Sequence, residues 1–231
     1  GCTDSSSWKN TEISKCGMRI SMFSVNIDKL VKMTELEKEC YSKAVNTIID
    51  KMAGKAEADS EKFSIGVVGD AVSVFKMAAQ FTETGKNVLF IDGDLSSEVF
   101  LGKYRLGKEL EGLSDCIMSA ITGEALIKKI CITNNNKLDI IFSGNIESSA
   151  MTVSGVFSAG ENYISNMINE CLDKYDTVIC LSDDSGNIAK YCDAAVIITD
   201  DDTFENKEKI NGQIKTLDYK GCDVLGVIIN E

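Results

Sequence analysis

Not one of the 231 residues is histidine. A His general base, a His metal ligand and every Ser-His or Cys-His catalytic arrangement are therefore excluded, and any chemistry must use carboxylates, Lys, Tyr, Ser or Cys. Proline is absent too, where average usage of about 5% would supply roughly a dozen. Turns must rely on Gly, Asn, Asp and Ser. No apolar run reaches the roughly 18 residues of a membrane-crossing helix. Positive charge is scarce: 24 Lys and Arg against 36 Asp and Glu leave a net charge of −12, and the longest basic stretch is Lys128-Lys129. That balance argues against nucleic acid and anionic lipid as direct partners, since both need clustered cations. The nine cysteines (2, 16, 40, 116, 131, 171, 180, 192, 222) are odd in number and never spaced C-x-x-C. They fit neither a zinc site nor a disulfide scaffold and read as reduced, mostly buried residues of a cytosolic protein.

What is present is a 44% hydrophobic chain, long enough to bury a substantial core in one α/β domain. It opens Gly1-Cys2 without Met, which suggests an excised fragment with a cloning-scar glycine; a lipoprotein starting at Cys2 is the alternative, against which the cysteine-rich body argues. Residues 1–32 read as an N-terminal arm or linker, polar at first, with Met18, Ile20, Met22, Phe23 and Val25 hinting at a short strand or a docking arm. Residues 33–231 read as the domain. Thr34-x-x-Glu37 is a capping box, and Leu36, Tyr41, Ala44, Val45, Ile48, Ile49 and Met52 recur at helical spacing, predicting a helix over 35–53 that stops at Gly54.

From residue 62 the chain alternates apolar runs with helical periods. Strands are expected at 63–68, 87–91, 138–142, 176–181, 194–199 and 223–229, and helices near 71–84, 113–129, 158–174 and 203–218. Ser158-x-x-Glu161 and Asp202-x-x-Glu205 should open the last two helices. This alternation predicts right-handed crossovers and a doubly wound, mainly parallel sheet flanked by helices, a three-layer α/β/α architecture. Within it GKNVLFIDGDLSSE (85–98) is the most direct pointer to a site. Its strand delivers Asp92 and Asp94 to the carboxyl end, where open α/β sheets place their ligands.

The order of motifs resembles the bacterial tyrosine kinases of capsule and exopolysaccharide synthesis, relatives of the partition and septum-site ATPases with a deviant P-loop. The resemblance covers about residues 36–230. It rests on GKNVLFIDGDLSSE, on EGLSDCIMSAITGE (111–124), on LDIIFSGNIESSA (138–150), on KYDTVICLSDD (174–184) at the Walker B strand and on CDVLGVIIN (222–230). It implies a P-loop NTPase fold, and it casts Asp92 and Asp94 as the carboxylates serving proton abstraction and Mg²⁺ organisation.

The departures lie where that chemistry is made. A phosphate loop needs consecutive backbone amides, crowding glycines, a Lys for the phosphates and a Ser/Thr for Mg²⁺. FSIGVVGDAVSVFKMAAQF (63–81) passes almost straight from strand to helix, so Gly69, Asp70 and Ala71 form a degenerate loop. Asp70 stands in place of the Lys and Ala71 in place of the Ser/Thr; Lys76 is a poor rescue. Leu181 occupies the Walker B Asp position, with Asp183 and Asp184 beyond it. Of the Glu and two Arg that join protomers into a ring in the family, only Glu39 of ECYSKAV (39–45) matches. The family's tyrosine cluster is absent or lies beyond the fragment, since Tyr41, Tyr104, Tyr163, Tyr175, Tyr191 and Tyr219 are dispersed. The acidic run Asp200-Asp201-Asp202 reads as a solvated helix start.

These readings converge on a catalytically degenerate relative with no catalytic residue, no cofactor and no metal, Asp92 and Asp94 surviving as relics. By resemblance it would be a regulatory or scaffolding domain in capsular or exopolysaccharide biosynthesis or chain-length control, cytoplasmic at the inner membrane face. Its partner would be a membrane polysaccharide chain-length regulator or a kinase subunit, with homo-oligomers as a further option. The alternative is an active ATP-binding tyrosine kinase or ATPase using Mg²⁺, Asp92, Asp94 and a Lys from elsewhere. A partition-type positioning protein is a third possibility, disfavoured by the acidic charge.

Overall fold

Thr34 and Glu37 close the capping box that starts helix α1 (Glu35–Ala53): the Thr34 amide donates to Glu37 Oε2 at 2.7 Å and the Glu37 amide to Thr34 Oγ1 at 3.2 Å. The helix ends at Gly54 as its spacing predicts, burying Tyr41, Val45, Ile48 and Met52 on one stripe. The computed structural model describes residues 11–15, 18–22, 24–55, 61–96, 99–100, 111–122, 130–144, 153–200 and 203–229. An antiparallel hairpin, β1 (Thr11–Lys15) and β2 (Met18–Met22), stands apart from the main sheet, whereas β3 (Ser24–Val25) joins it.

The predicted alternation then unfolds as β4 (Phe63–Val68), α2 (Ala71–Glu83), β5 (Val88–Asp92), α3 (Leu113–Thr122), β6 (Cys131–Thr133), β7 (Leu138–Ile141), α4 (Val153–Ala159), α5 (Glu161–Lys174), β8 (Thr177–Ser182), β9 (Ala194–Thr199), α6 (Phe204–Tyr219) and β10 (Val224–Ile229). The eight strands run β10-β9-β4-β8-β5-β7-β6-β3, parallel throughout except for β6 against β7. The doubly wound, mainly parallel sheet expected from the sequence is thus the fold.

Alternation along the strands sorts the core into layers. Val88, Phe90, Ile179, Leu181, Val196 and Ile198 face α1 and α2, while Leu89, Ile91, Val178 and Cys180 face α3, α4 and α5. Ala195 and Ile197 meet Leu217 of α6. Each such aliphatic side chain contributes roughly 1.5–3 kcal/mol by leaving water. Beneath the start of α2, Phe75, Phe90 and Phe100 stack edge to face with centroids 5.0–5.7 Å apart, a geometry worth about 0.5–1.5 kcal/mol per pair beyond area.

Two local expectations are corrected, and one strand was not foreseen. Ser158 does not open a helix, because it lies in α4; Gly160 forms the junction to α5, donating to Val156 O at 3.0 Å and accepting from Ile164 N at 2.9 Å. A Cβ there would come within 2.5 Å of Ile117 Cγ2 on α3, so the packing of α3 against this joint requires glycine. Helix α6 is capped by Thr203, not Asp202, its hydroxyl accepting from the Asn206 amide at 3.4 Å. The short β6, with only three residues, gave too little periodicity to be read. Residues 123–129 of the expected third helix lie outside the described residues.

Candidate functional site

The carboxyl ends of β4, β5, β7 and β8 form the rim where the sequence placed a site. At β4 the chain has two residues, Gly69 and Asp70, between strand and helix. Gly69 serves close packing: a Cβ would lie 2.9 Å from Ile198 O on β9. Asp70 is the N-cap of α2, and its Oδ2 accepts from the amides of Val72 and Ser73, each at 3.0 Å. Its backbone carbonyl takes Val74 N at 2.9 Å. Ala71, the first helical residue, is buried in the core. The amides that open α2 therefore face a carboxylate from their own chain.

At β5 the two aspartates part company. Asp94 makes a local turn, its Oδ1 accepting from Ser96 N at 3.1 Å and Ser96 Oγ at 2.6 Å. Asp92 is 1% exposed and its Oδ1 has no hydrogen-bond partner. Burial pushes its carboxyl up to about 7; hydrogen bonding from the Ser143 hydroxyl opposes this, the Asp94 charge adds to it, and the Ser143 and Asp94 amides oppose it. At neutral pH it is a carboxyl poised between donor and acceptor. Ser182 follows Leu181, the residue paired with Asp92 across β5 and β8, and its buried hydroxyl is likewise unpartnered.

At β7, Ser143 and Gly144 hold the start of α3. Leu113 N donates to Phe142 O at 2.7 Å and Ser114 N to Ser143 O at 2.9 Å, while Asp115 Oδ2 takes the Gly112 amide at 2.8 Å. Gly112 and Gly144 touch backbone to backbone, for a Cβ on Gly112 would sit 2.2 Å from Gly144 N. Ser143 was not singled out by sequence reasoning, although the FSG of 142–144 was the signal that marked it.

The remaining candidate groups are engaged elsewhere. Leu181 is buried where a Walker B Asp would stand. Asp183 accepts from Asn187 N at 3.0 Å and Nδ2 at 2.7 Å; Asp184 accepts from Gln213 Nε2 at 2.8 Å and lies 3.4 Å from Lys209 Nζ. Asp183 thus closes the β8 loop on itself, and Asp184 ties it to α6. Lys76 Nζ binds Glu37 Oε1 at 2.6 Å, and this contact is the main reason the Glu37 carboxyl lies below its usual range. On α1, Glu39 pairs with Lys43 at 2.7 Å, and Val45 of the same segment is fully buried. Tyr41, Tyr163, Tyr175 and Tyr191 are buried or half-buried and Tyr219 is exposed; Tyr104, Asp201 and Asp202 lie outside the described residues. Among the described residues no cluster of three or more Cys, Asp or Glu could hold a metal, and no helix is long and apolar enough to cross a membrane.

No protein-family model matches the chain. It is similar to tyrosine-protein kinase CpsD of Streptococcus pneumoniae serotype 4, with 26% identity over 171 residues, covering 71% of this chain and 70% of that one. Its fold is that of the crystallised chimerical protein CapA2B2 (TM-score 0.66, 16% identity, 90% of this chain and 92% of that one). The kinase domain of the Escherichia coli tyrosine kinase ETK aligns with a TM-score of 0.61 at 18% identity, covering 82% of this chain and 74% of that one.

Proposed function

We propose that this chain, which is similar in sequence and fold to the P-loop tyrosine kinases of bacterial capsule synthesis, is a catalytically degenerate regulatory or scaffolding domain of capsular or exopolysaccharide biosynthesis. The observation that carries this reading is Asp70. A P-loop offers the amides of a helix N-terminus to a phosphate; here the Val72 and Ser73 amides are held by the Asp70 carboxylate. An arriving phosphate must displace that carboxylate and then meet its charge, a repulsion of about 4 kcal/mol at 4 Å for an effective dielectric of 20. Lys76, the nearest substitute cation along α2, is bound to Glu37.

Mg-ATP finds few ligands among the remaining residues. Leu181 stands in place of the second carboxylate, Asp94 is turned onto Ser96, and Asp183 and Asp184 are bonded to Asn187 and Gln213. Binding is then the function. The partner is the cytoplasmic end of a membrane polysaccharide chain-length regulator or an active kinase subunit, met at the inner face of the membrane. The test is to mix the chain with an active capsule-type tyrosine kinase, its regulator fragment and ATP. The expected result is a changed rate of kinase autophosphorylation with no phosphate transfer by this chain alone. Transfer by the isolated chain, or an unchanged rate, overturns the reading.

A further inference from the structure

Two of the cysteines meet at the centre of the sheet. Gly66 of β4 pairs with Cys180 of β8 on one side and with Ala195 of β9 on the other. It has no side chain, and a Cβ there would lie 2.4 Å from Ala189 Cβ. The 3₁₀ turn Ala189–Tyr191 therefore rests directly on the sheet, and it delivers the next residue, Cys192, beside Cys180. Both cysteines pack in the same apolar cluster, and their thiols are in hydrogen-bond contact. The Cys192 thiol donates to Ile188 O at 3.9 Å, so the Cys180 thiol is the donor between the two sulfurs.

The pair differs in access. Cys180 is fully buried, and the contact with Cys192, followed by burial, holds its thiol well above the usual range. Cys192 is half-buried, so a dissolved oxidant reaches it first. Between them in sequence runs the connection that leaves the rim. Asp184 ties it to α6, and Ile188 packs so closely on Gly93 that a Cβ there would come within 2.7 Å of Ile188 Cγ2. A bond between the two sulfurs would close this connection onto the strand whose Leu181 pairs with Asp92.

We propose that Cys180 and Cys192 are a peroxide-sensitive dithiol whose disulfide clamps the connection between β8 and β9. The Cys192 thiolate attacks one oxygen of hydrogen peroxide: an S–O bond forms, the O–O bond breaks, and the departing hydroxide takes up the Cys192 proton as water. The Cys180 sulfur then attacks Cys192. The S–S bond forms, the S–O bond breaks, and the second oxygen leaves as water with the Cys180 proton. Two thiols give up two electrons, and one peroxide becomes two waters. A dithiol reductant reverses the step by exchange. A pair of this kind in a reducing compartment senses oxidant and does not serve as a permanent staple. The inference is independent of the regulatory reading above.

The test treats the folded full chain with hydrogen peroxide at neutral pH, alkylates the remaining thiols in denaturant and digests the product. Trypsin cuts after Lys174, Lys190 and Lys207, so the two cysteines leave on separate peptides, 175–190 and 191–207, joined only by the new bond. The expected result is two thiols fewer, the joined peptides, and their separation by dithiothreitol. The oxidised chain should also melt at a higher temperature than the reduced one, because the bond restricts the unfolded chain. Cys192→Ser should abolish the joined peptides and the gain in Tm. Cys171→Ser, which removes another thiol near Cys180, should preserve both. Cys180→Ala should halt the reaction at a Cys192 sulfenic acid that dimedone traps, a readout that does not depend on the Cys192 variant folding. A wild type that keeps all its thiols overturns the proposal. So does Cys192 oxidised to sulfinic acid without a joined peptide, or Cys180 joined to Cys171 instead.

Discussion

Replacing Asp92 by Asn keeps the shape of the side chain and removes its titration. In the folded chain this carboxyl is 1% exposed, with Oδ1 unpartnered, and its pKa rises from 3.8 to about 7, chiefly through burial. Each tenfold in proton affinity is about 1.4 kcal/mol, so full ionisation of the buried group costs on the order of 4 kcal/mol. The folded state binds this proton more tightly than the unfolded state. Stability is therefore greatest below the unfolded value and declines as pH rises from about 4 through about 7, with a slope of up to roughly 1.4 kcal/mol per pH unit. Urea unfolding of wild type and Asp92→Asn, at steps from about pH 5 to pH 8, isolates the effect because every other titrating group contributes to both curves. The variant should gain on the wild type steadily across that range and level off above pH 7. A constant difference between the two curves, or a wild type that gains on the variant as pH rises, refutes the placement of Asp92 as a buried, underbonded carboxyl.

Other perturbations have simpler signs. Asp70→Ala removes the cap of α2 and should cost about 1 kcal/mol, read as a fall in Tm of roughly 2–4 °C; an unchanged Tm would show that the carboxylate does not hold the Val72 and Ser73 amides. Gly112→Ala forces a Cβ to within 2.3 Å of Phe142 O as well as against Gly144 N, contacts with backbone that no rotamer relieves. A loss of several kcal/mol in chemical denaturation is expected, of the kind that strained backbone and overpacking produce. Tyr175 donates to Asp139 Oδ2 at 2.7 Å, and burial already raises the Asp139 carboxyl. Tyr175→Phe removes one of its two hydrogen-bond partners and leaves the Thr133 amide, at a cost of about 1 kcal/mol, and an NMR titration should find the Asp139 carboxyl titrating higher than in the wild type.

The fold was legible because its signals repeat. Six expected strands appear within a residue or two at each end, since runs such as FSIGVV and AAVIIT are buried on both faces and bounded by polar turns. Helix α1 was readable to the residue, its capping box and apolar stripe both being local. What escaped depends on tertiary context. The three-residue β6 takes its identity from β7, and the break between α4 and α5 at Gly160 exists because Ile117 packs into it. The arm was split in the same way: a strand was hinted at up to Val25, but that β3 and the buried Val25, Ile27 and Leu30 belong to the main core was not announced by any spacing in residues 1–32. At the rim, sequence named Asp70, Asp92 and Asp94 but could not tell them apart. Asp94 binds its own turn, Asp70 caps a helix, and Asp92 alone is buried with an oxygen unmet. The first two partners are local, whereas the burial of Asp92 comes from neighbours at β7 and β8, far away in sequence.

The proposed function depends on Asp70 closing the amides at the start of α2 to phosphate. Isothermal and thermal-shift titration of the intact chain with Mg-ATP tests it most directly, because a ligand at a hundred times its dissociation constant stabilises a protein by about 2.7 kcal/mol. The account predicts no heat of binding and no movement of Tm at millimolar Mg-ATP. A saturable heat with a rise of several degrees in Tm would contradict it.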